Sequence, residues 1–110
     1  MTHRPDLIEW ADAYFLGKGG EFTKRKTFGC PAYYLGKKMA VFVHEDSLVI
    51  KVGAAEAAKR VKMDEDVYGY FSPAGKALAG WLTITLPEAS DYDEFTDLID
   101  EGVSFVAGAR

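Results

Sequence analysis

The two residues Gly36-Lys37 constrain this chain more than any others. They separate Ala32-Tyr33-Tyr34-Leu35 from Lys38-Met39-Ala40-Val41-Phe42-Val43, two runs dominated by aromatic and aliphatic side chains. A glycine-first pair between such runs is the signature of a two-residue β-hairpin, because the first central position of that turn needs a positive φ. Glu45-Asp46 then divides the second run from Ser47-Leu48-Val49-Ile50-Lys51-Val52, which extends the hairpin to a three-stranded antiparallel meander. In the third strand Leu48, Ile50 and Val52 share one face and Ser47 and Lys51 the other, so the sheet is expected to have one wet side.

Helical periodicity brackets the meander. Leu7, Ile8, Ala11, Tyr14 and Phe15 draw one apolar stripe with Trp10 on its flank, Pro5 suits the first helical position, and Gly17, Gly19 and Gly20 end the helix. A second helix is expected over residues 54–63, with Ala54, Ala57, Ala58 and Val61 inward and Lys59, Arg60 and Lys62 outward. A last one carries Phe95, Leu98, Ile99, Val103 and Val106 on its buried stripe, with Ser90 and Asp93 as a capping-box-like pair at its start. Leu82, Ile84 and Leu86 alternate inward along a later strand that Pro87 stops. Residues 64–80 show no clear period; a long aromatic-rich connection of this kind carries either function or a strand that periodicity does not resolve. The expected architecture is α+β: a mainly antiparallel sheet, the meander plus a later strand or strands, with N-terminal, middle and C-terminal helices.

With 110 residues, 48% of them hydrophobic, the chain can close one core, and a single domain over 1–110 is expected. Cys30 is its one cysteine, which excludes an internal disulfide and any thiolate-rich metal site built from this chain alone. A reducing compartment fits, and with no apolar run long enough for a bilayer the expectation is a cytoplasmic protein that engages no membrane. The net charge of −4 is unevenly spread: residues 18–38 carry a local +5 and residues 88–101 a local −7. Acids at a helix start and on its outer side account for much of the second cluster.

The candidate reactive groups have structural explanations. Cys30 lies in Phe28-Gly29-Cys30-Pro31 at a bend, where a buried thiol is the ordinary reading and a pairing with His44 the reactive one. His3 and His44 lack metal-ligand spacing, Asp64-Glu65-Asp66 lacks the alternating ligands of a calcium loop, and Gly17-Lys18-Gly19-Gly20 follows a helix where a phosphate cradle follows a strand. No metal, cofactor or catalytic group is expected. Lys24, Arg25 and Lys26, with Lys37 and Lys38 and the neighbouring rings Phe22, Phe28, Tyr33 and Tyr34, supply the mix of cations and stacking surfaces used by nucleic-acid binders. The acidic pI near 5.1 speaks against that class.

Two segments carry a family resemblance. Thr27-Phe28-Gly29-Cys30-Pro31 and the hairpin after it, with Leu48-Val49-Ile50-Lys51-Val52, resemble the N-terminal domain of the TfoX/Sxy competence regulators, where a phenylalanine-glycine pair, a glycine-lysine turn, an apolar strand and an "L-x-x-K" strand recur in this order. Gly75-Lys76-Ala77-Leu78-Ala79-Gly80-Trp81-Leu82 is similar to the family's "G-x-P-M-x-x-W" signature, with Ala77 and Leu78 in place of its proline and methionine. The YjbR-type double-wing proteins share the general plan. The resemblance implies a fold of this kind and a role in transcriptional regulation, alongside the cyclic-AMP receptor protein, without an enzymatic activity. A non-enzymatic regulatory module that binds a protein partner or a second copy of itself is therefore the leading expectation, with Tyr68, Tyr70, Phe71 and Lys76 as its interaction surface. Nucleic-acid binding through the basic residues is the alternative, and a small-molecule binder or enzyme near Cys30 the third.

Overall fold

The computed structural model of the chain describes residues 4–17, 22–27, 29–72 and 75–108. His3, Lys18, Gly19, Gly20 and Phe28, which the sequence reading uses, lie outside them. Helix α1 (Pro5–Ala11) has Pro5 in its first turn and runs on into a single π turn (Asp12–Leu16). Leu7, Ala11 and Phe15, four residues apart, are fully buried, so the stripe survives the change of winding. Six strands follow, β1 (Phe22–Thr27), β2 (Cys30–Leu35), β3 (Lys38–His44), β4 (Ser47–Lys51), β5 (Tyr68–Phe71) and β6 (Leu78–Ile84), with α2 (Ala54–Met63) between β4 and β5. They form one sheet in the order β1-β2-β3-β4-β6-β5, every pair antiparallel. The fold class is α+β as the pattern implies.

The meander has four strands rather than three. β1 precedes the expected three and pairs with β2 along its whole length, from Phe22 opposite Leu35 to Thr27 opposite Cys30. Its sequence is mostly charged and hydroxylated, and it forms an outer edge of the sheet, where lysines discourage pairing with other chains. The hairpin turn between β2 and β3 is where the sequence places it, with Gly36 at φ 62°. β5 emerges from the stretch without a period, and β6 begins at Leu78, ahead of the run that alternates.

A β-bulge decides how β3 presents its side chains. Tyr33 pairs with Val41 but Tyr34 with Met39, so Ala40 is an extra residue. The extra residue resets the alternation: Ala40, Val41 and Val43 join the cluster beneath the helices, whereas Met39 and Phe42 belong to the opposite face. The helix-covered face holds the main core, with Tyr33, Leu48, Ile50, Leu82 and Ile84 from the sheet meeting Leu7, Phe15, Ala57 and Ile99 from the helices. On α2 Ala57 is buried, Ala58 and Val61 are half-buried, and Ala54 is exposed rather than inward because it sits in the first turn.

The C-terminal element starts differently from the sequence reading. Residues Ala89–Phe95 form a 3-10 helix, and α3 (Thr96–Gly108) continues from it. The capping box is Glu88 with Asp91, whose carboxylate accepts the Glu88 N–H at 3.1 Å, and not Ser90 with Asp93. Asp93 instead accepts a hydrogen bond from the Trp10 indole at 2.8 Å, so a tertiary contact takes the acid that local pattern assigns to the cap. Tyr92 holds the junction to β6: its hydroxyl donates to the Ile84 carbonyl at 2.8 Å and accepts from the Leu86 N–H at 3.2 Å. Arg4 completes the tie by donating to the carbonyls of Leu86 at 2.6 Å and Pro87 at 2.9 Å. Among the described residues no helix is long and apolar enough to cross a membrane.

Candidate functional site

The face of the sheet away from the helices, the outer face, is not the wet surface that alternation in β4 implies. Cys30, Ala32, Phe42 and Val49 are buried there, and Tyr34, Met39, Phe71 and Trp81 pack against them half-buried. The whole cluster comes from strands, and no helix residue joins it among the described residues. One sequence signal does report it. Met39-Ala40-Val41-Phe42-Val43 and Leu48-Val49-Ile50 are continuous apolar runs, the pattern of strands that meet apolar surroundings on both faces.

Small residues in the middle of the sheet let large rings from distant strands converge. Val49 pairs with Phe42 on one side and Thr83 on the other, and Thr83 pairs with Gly69. A Cβ at Gly69 would lie 3.0 Å from the Thr83 hydroxyl, so the glycine permits this close pairing. Over this low floor Phe71 of edge strand β5 reaches Phe42 of β3, with ring centroids 4.9 Å apart and planes at 81°, and His44 at 5.2 Å. Trp81 lies 5.5 Å from Phe42. An edge-to-face contact such as Phe42–Phe71 adds about 1 kcal/mol beyond the area it buries.

These rings line a half-open cavity of about 400 Å³, completed by Thr27, Cys30, Met39 and Leu78. None of its lining residues carries a carboxylate, ammonium or guanidinium group. The Thr27 hydroxyl is engaged with that of Tyr34 at 2.9 Å. Burial, and then the charge of Glu45, pushes the Cys30 thiol up from its ordinary pKa, which makes it a poor nucleophile at neutral pH. Cations stand around the outer face: the Arg25 guanidinium lies 4.9 Å above the Tyr34 ring, and the Lys51 ammonium 5.8 Å from the centre of Trp81.

The residues singled out in the sequence are distributed as follows. Phe71 lines the cavity, and Lys76 is exposed in the connection leading to it. Tyr68 is buried on the helix side with its ring 6.1 Å from that of Phe95, and Tyr70 is half-buried against the same core, so the four do not form one patch. Of the basic residues, Lys24, Arg25 and Lys26 line one shallow recess with Ile8 and Pro31, and Lys37 and Lys38 stand apart from it. Lys24 is paired with Asp12 at 2.9 Å, and Arg25 is stacked on Tyr34. Lys37 and Lys38 stand at the hairpin turn beyond Leu35, at the opposite end of β2 from Pro31, the partner of Lys26. Asp12 also accepts from the Tyr33 hydroxyl at 2.6 Å, so it joins β1 and β2 to the first helical segment. Met39, Phe42, Leu78 and Trp81 are the site residues that motif reading missed, because hydrophobic side chains in strands read as core.

Comparison with known proteins yields one family. The model of the TfoX N-terminal domain matches residues 15–106, which include the six described strands, α2 and all but the last two residues of α3. No curated protein and no solved structure matches the chain.

Proposed function

Because the chain belongs to the TfoX N-terminal domain family, we propose that it is a non-enzymatic regulatory module that docks a protein partner on the outer face of its sheet. The observation that carries this reading is the second apolar cluster, whose half-buried rings and the exposed Leu78 line a half-open cavity on the side the helices leave bare. Apolar side chains left partly open to solvent over a concave face mark contact sites. The cations around it, Arg25, Lys51 and the exposed Lys76, match a partner segment in which apolar anchors are flanked by acids. Helices and strands that share one main core support reading residues 1–110 as one domain. A lone buried cysteine fits a reducing, cytoplasmic setting.

The test compares capture of one identified partner by the native chain with capture by Leu78→Glu and Lys51→Glu. Lys59→Glu on the exposed side of α2 serves as the control. The docking reading expects both outer-face variants to lose the partner and the control to keep it. Retention by both outer-face variants, or equal loss by the control, overturns it. Self-association that Leu78→Glu abolishes would make a second copy the occupant and overturn the heterologous partner.

A further inference from the structure

We propose that the outer-face cavity is a binding site for a small, uncharged, planar aromatic molecule. Three observations converge on this class. The volume, about 400 Å³, lies within the range of small-molecule pockets. Its walls include three aromatic rings that touch one another through Phe42, which offers both faces and edges to a flat ligand. Its polar groups are few: the His44 imidazole packs edge-on against Phe71, the Thr27 hydroxyl is already shared with Tyr34, and no lining residue bears a carboxylate, ammonium or guanidinium group. A charged group lodged among the rings would be desolvated with no ammonium, guanidinium or carboxylate on the lining itself to pair it, since Arg25 and Lys51 stand outside the lining. The environment of Cys30 reports the same physics, since burial and Glu45 disfavour a negative thiolate on the cavity wall.

The site goes beyond docking but adjoins it. A filled cavity replaces a recess by a flush aromatic surface, so the ligand would alter what the face presents to a partner. That consequence rests on the docking reading, whereas ligand binding does not.

The experiment uses the full chain and two fluorescent probes with the same rings, neutral phenylnaphthylamine and anionic anilinonaphthalene sulfonate. The neutral probe is expected to bind saturably at one site per chain and to shift the Met39 methyl resonance by ring current while the exposed Met63 methyl stays in place. The sulfonate is expected to bind at least about tenfold more weakly. Leu78→Trp, a substitution at the partly exposed edge of the cavity, is expected to abolish probe binding with the thermal midpoint unchanged. Absence of saturable binding, a shift of the Met63 methyl alone, equal affinity for the sulfonate, or full binding by folded Leu78→Trp each overturns the site. If Leu78→Trp fails to fold, the two methyl signals and the probe comparison in the native chain still decide. Partner capture by a chain that binds no probe removes this inference and leaves docking in place; probe binding by a chain that captures nothing does the reverse.

Discussion

Replacing Tyr92 by phenylalanine tests how the C-terminal helix is fastened to the sheet. The ring is fully buried, so the substitution keeps its packing, including the 5.6 Å contact with Trp10, and removes only one oxygen. That oxygen serves two backbone groups, the Ile84 carbonyl at 2.8 Å and the Leu86 N–H at 3.2 Å. Removing it leaves a buried N–H without this partner, at about 2 kcal/mol, and takes one hydrogen bond from the Ile84 carbonyl, at about 1 kcal/mol. The expected loss is therefore about 3 kcal/mol, roughly a hundredfold in the folding equilibrium. For a chain of this length that corresponds to a fall in thermal midpoint of about 12 °C. Urea unfolding should show a lower midpoint with an unchanged slope, because the surface exposed on unfolding is the same. Tyr14→Phe is the internal control: its hydroxyl donates to the exposed Asp100 at 2.6 Å, and water can replace it, so the loss should stay under about 1 kcal/mol. If Tyr92→Phe cost no more than Tyr14→Phe, the Tyr92 hydroxyl would not be the fastening and the reasoning would fail.

Two further outcomes follow from the same packing. Burial raises the pKa of Tyr33, helped by its bond to Asp12, and likewise those of Tyr14, helped by Asp100, and Tyr92. An unfolded tyrosine loses its proton near pH 10 while the folded ones keep theirs, so these tyrosines add no pH dependence below about pH 10, and stability should decline as pH rises above it, a decline the raised Cys30 thiol begins from about pH 8.5. A thermal midpoint that stays level to about pH 11.5 would contradict this. Gly102 brings α3 against the sheet: a Cβ there would lie 3.1 Å from Val52 Cγ1 and 3.3 Å from the Lys51 carbonyl. Gly102→Leu should cost about 2 to 3 kcal/mol in urea unfolding. An unchanged midpoint would mean that the helix does not approach so closely.

The contrast between α2 and β1 shows where local sequence suffices. α2 spans the residues its periodicity marks, because alanine, lysine and arginine favour a helix locally and the short apolar stripe needs only one surface to pack on. β1 has no such local preference. Its lysines, arginine and threonines are stable as a strand only because β2 offers a row of backbone partners, information that lies in another segment. The same holds for β5, whose four residues gain strand geometry from pairing with β6. The capping acids tell a similar story, since Trp10, 83 residues away, engages Asp93 while Glu88 and Asp91 close the cap.

By itself, then, the sequence determined the α+β class, the Gly36 hairpin, the helical stripes and the family, because turn chemistry and hydrophobic period act over a few residues. It also carried, in the unbroken apolar runs of β3 and β4, the sign that neither face of the sheet is simply wet. Only the tertiary structure decided that Phe71, Phe42 and Trp81 meet across the outer face. They come from strands that are neighbours only through the β4-β6 pairing, over residues small enough to let the rings converge, and with Ala40 inserted to turn Met39 and Phe42 outward. Strand order and a one-residue bulge leave almost no trace in composition or period, yet a single inserted residue is enough to move a side chain from the core to the opposite face.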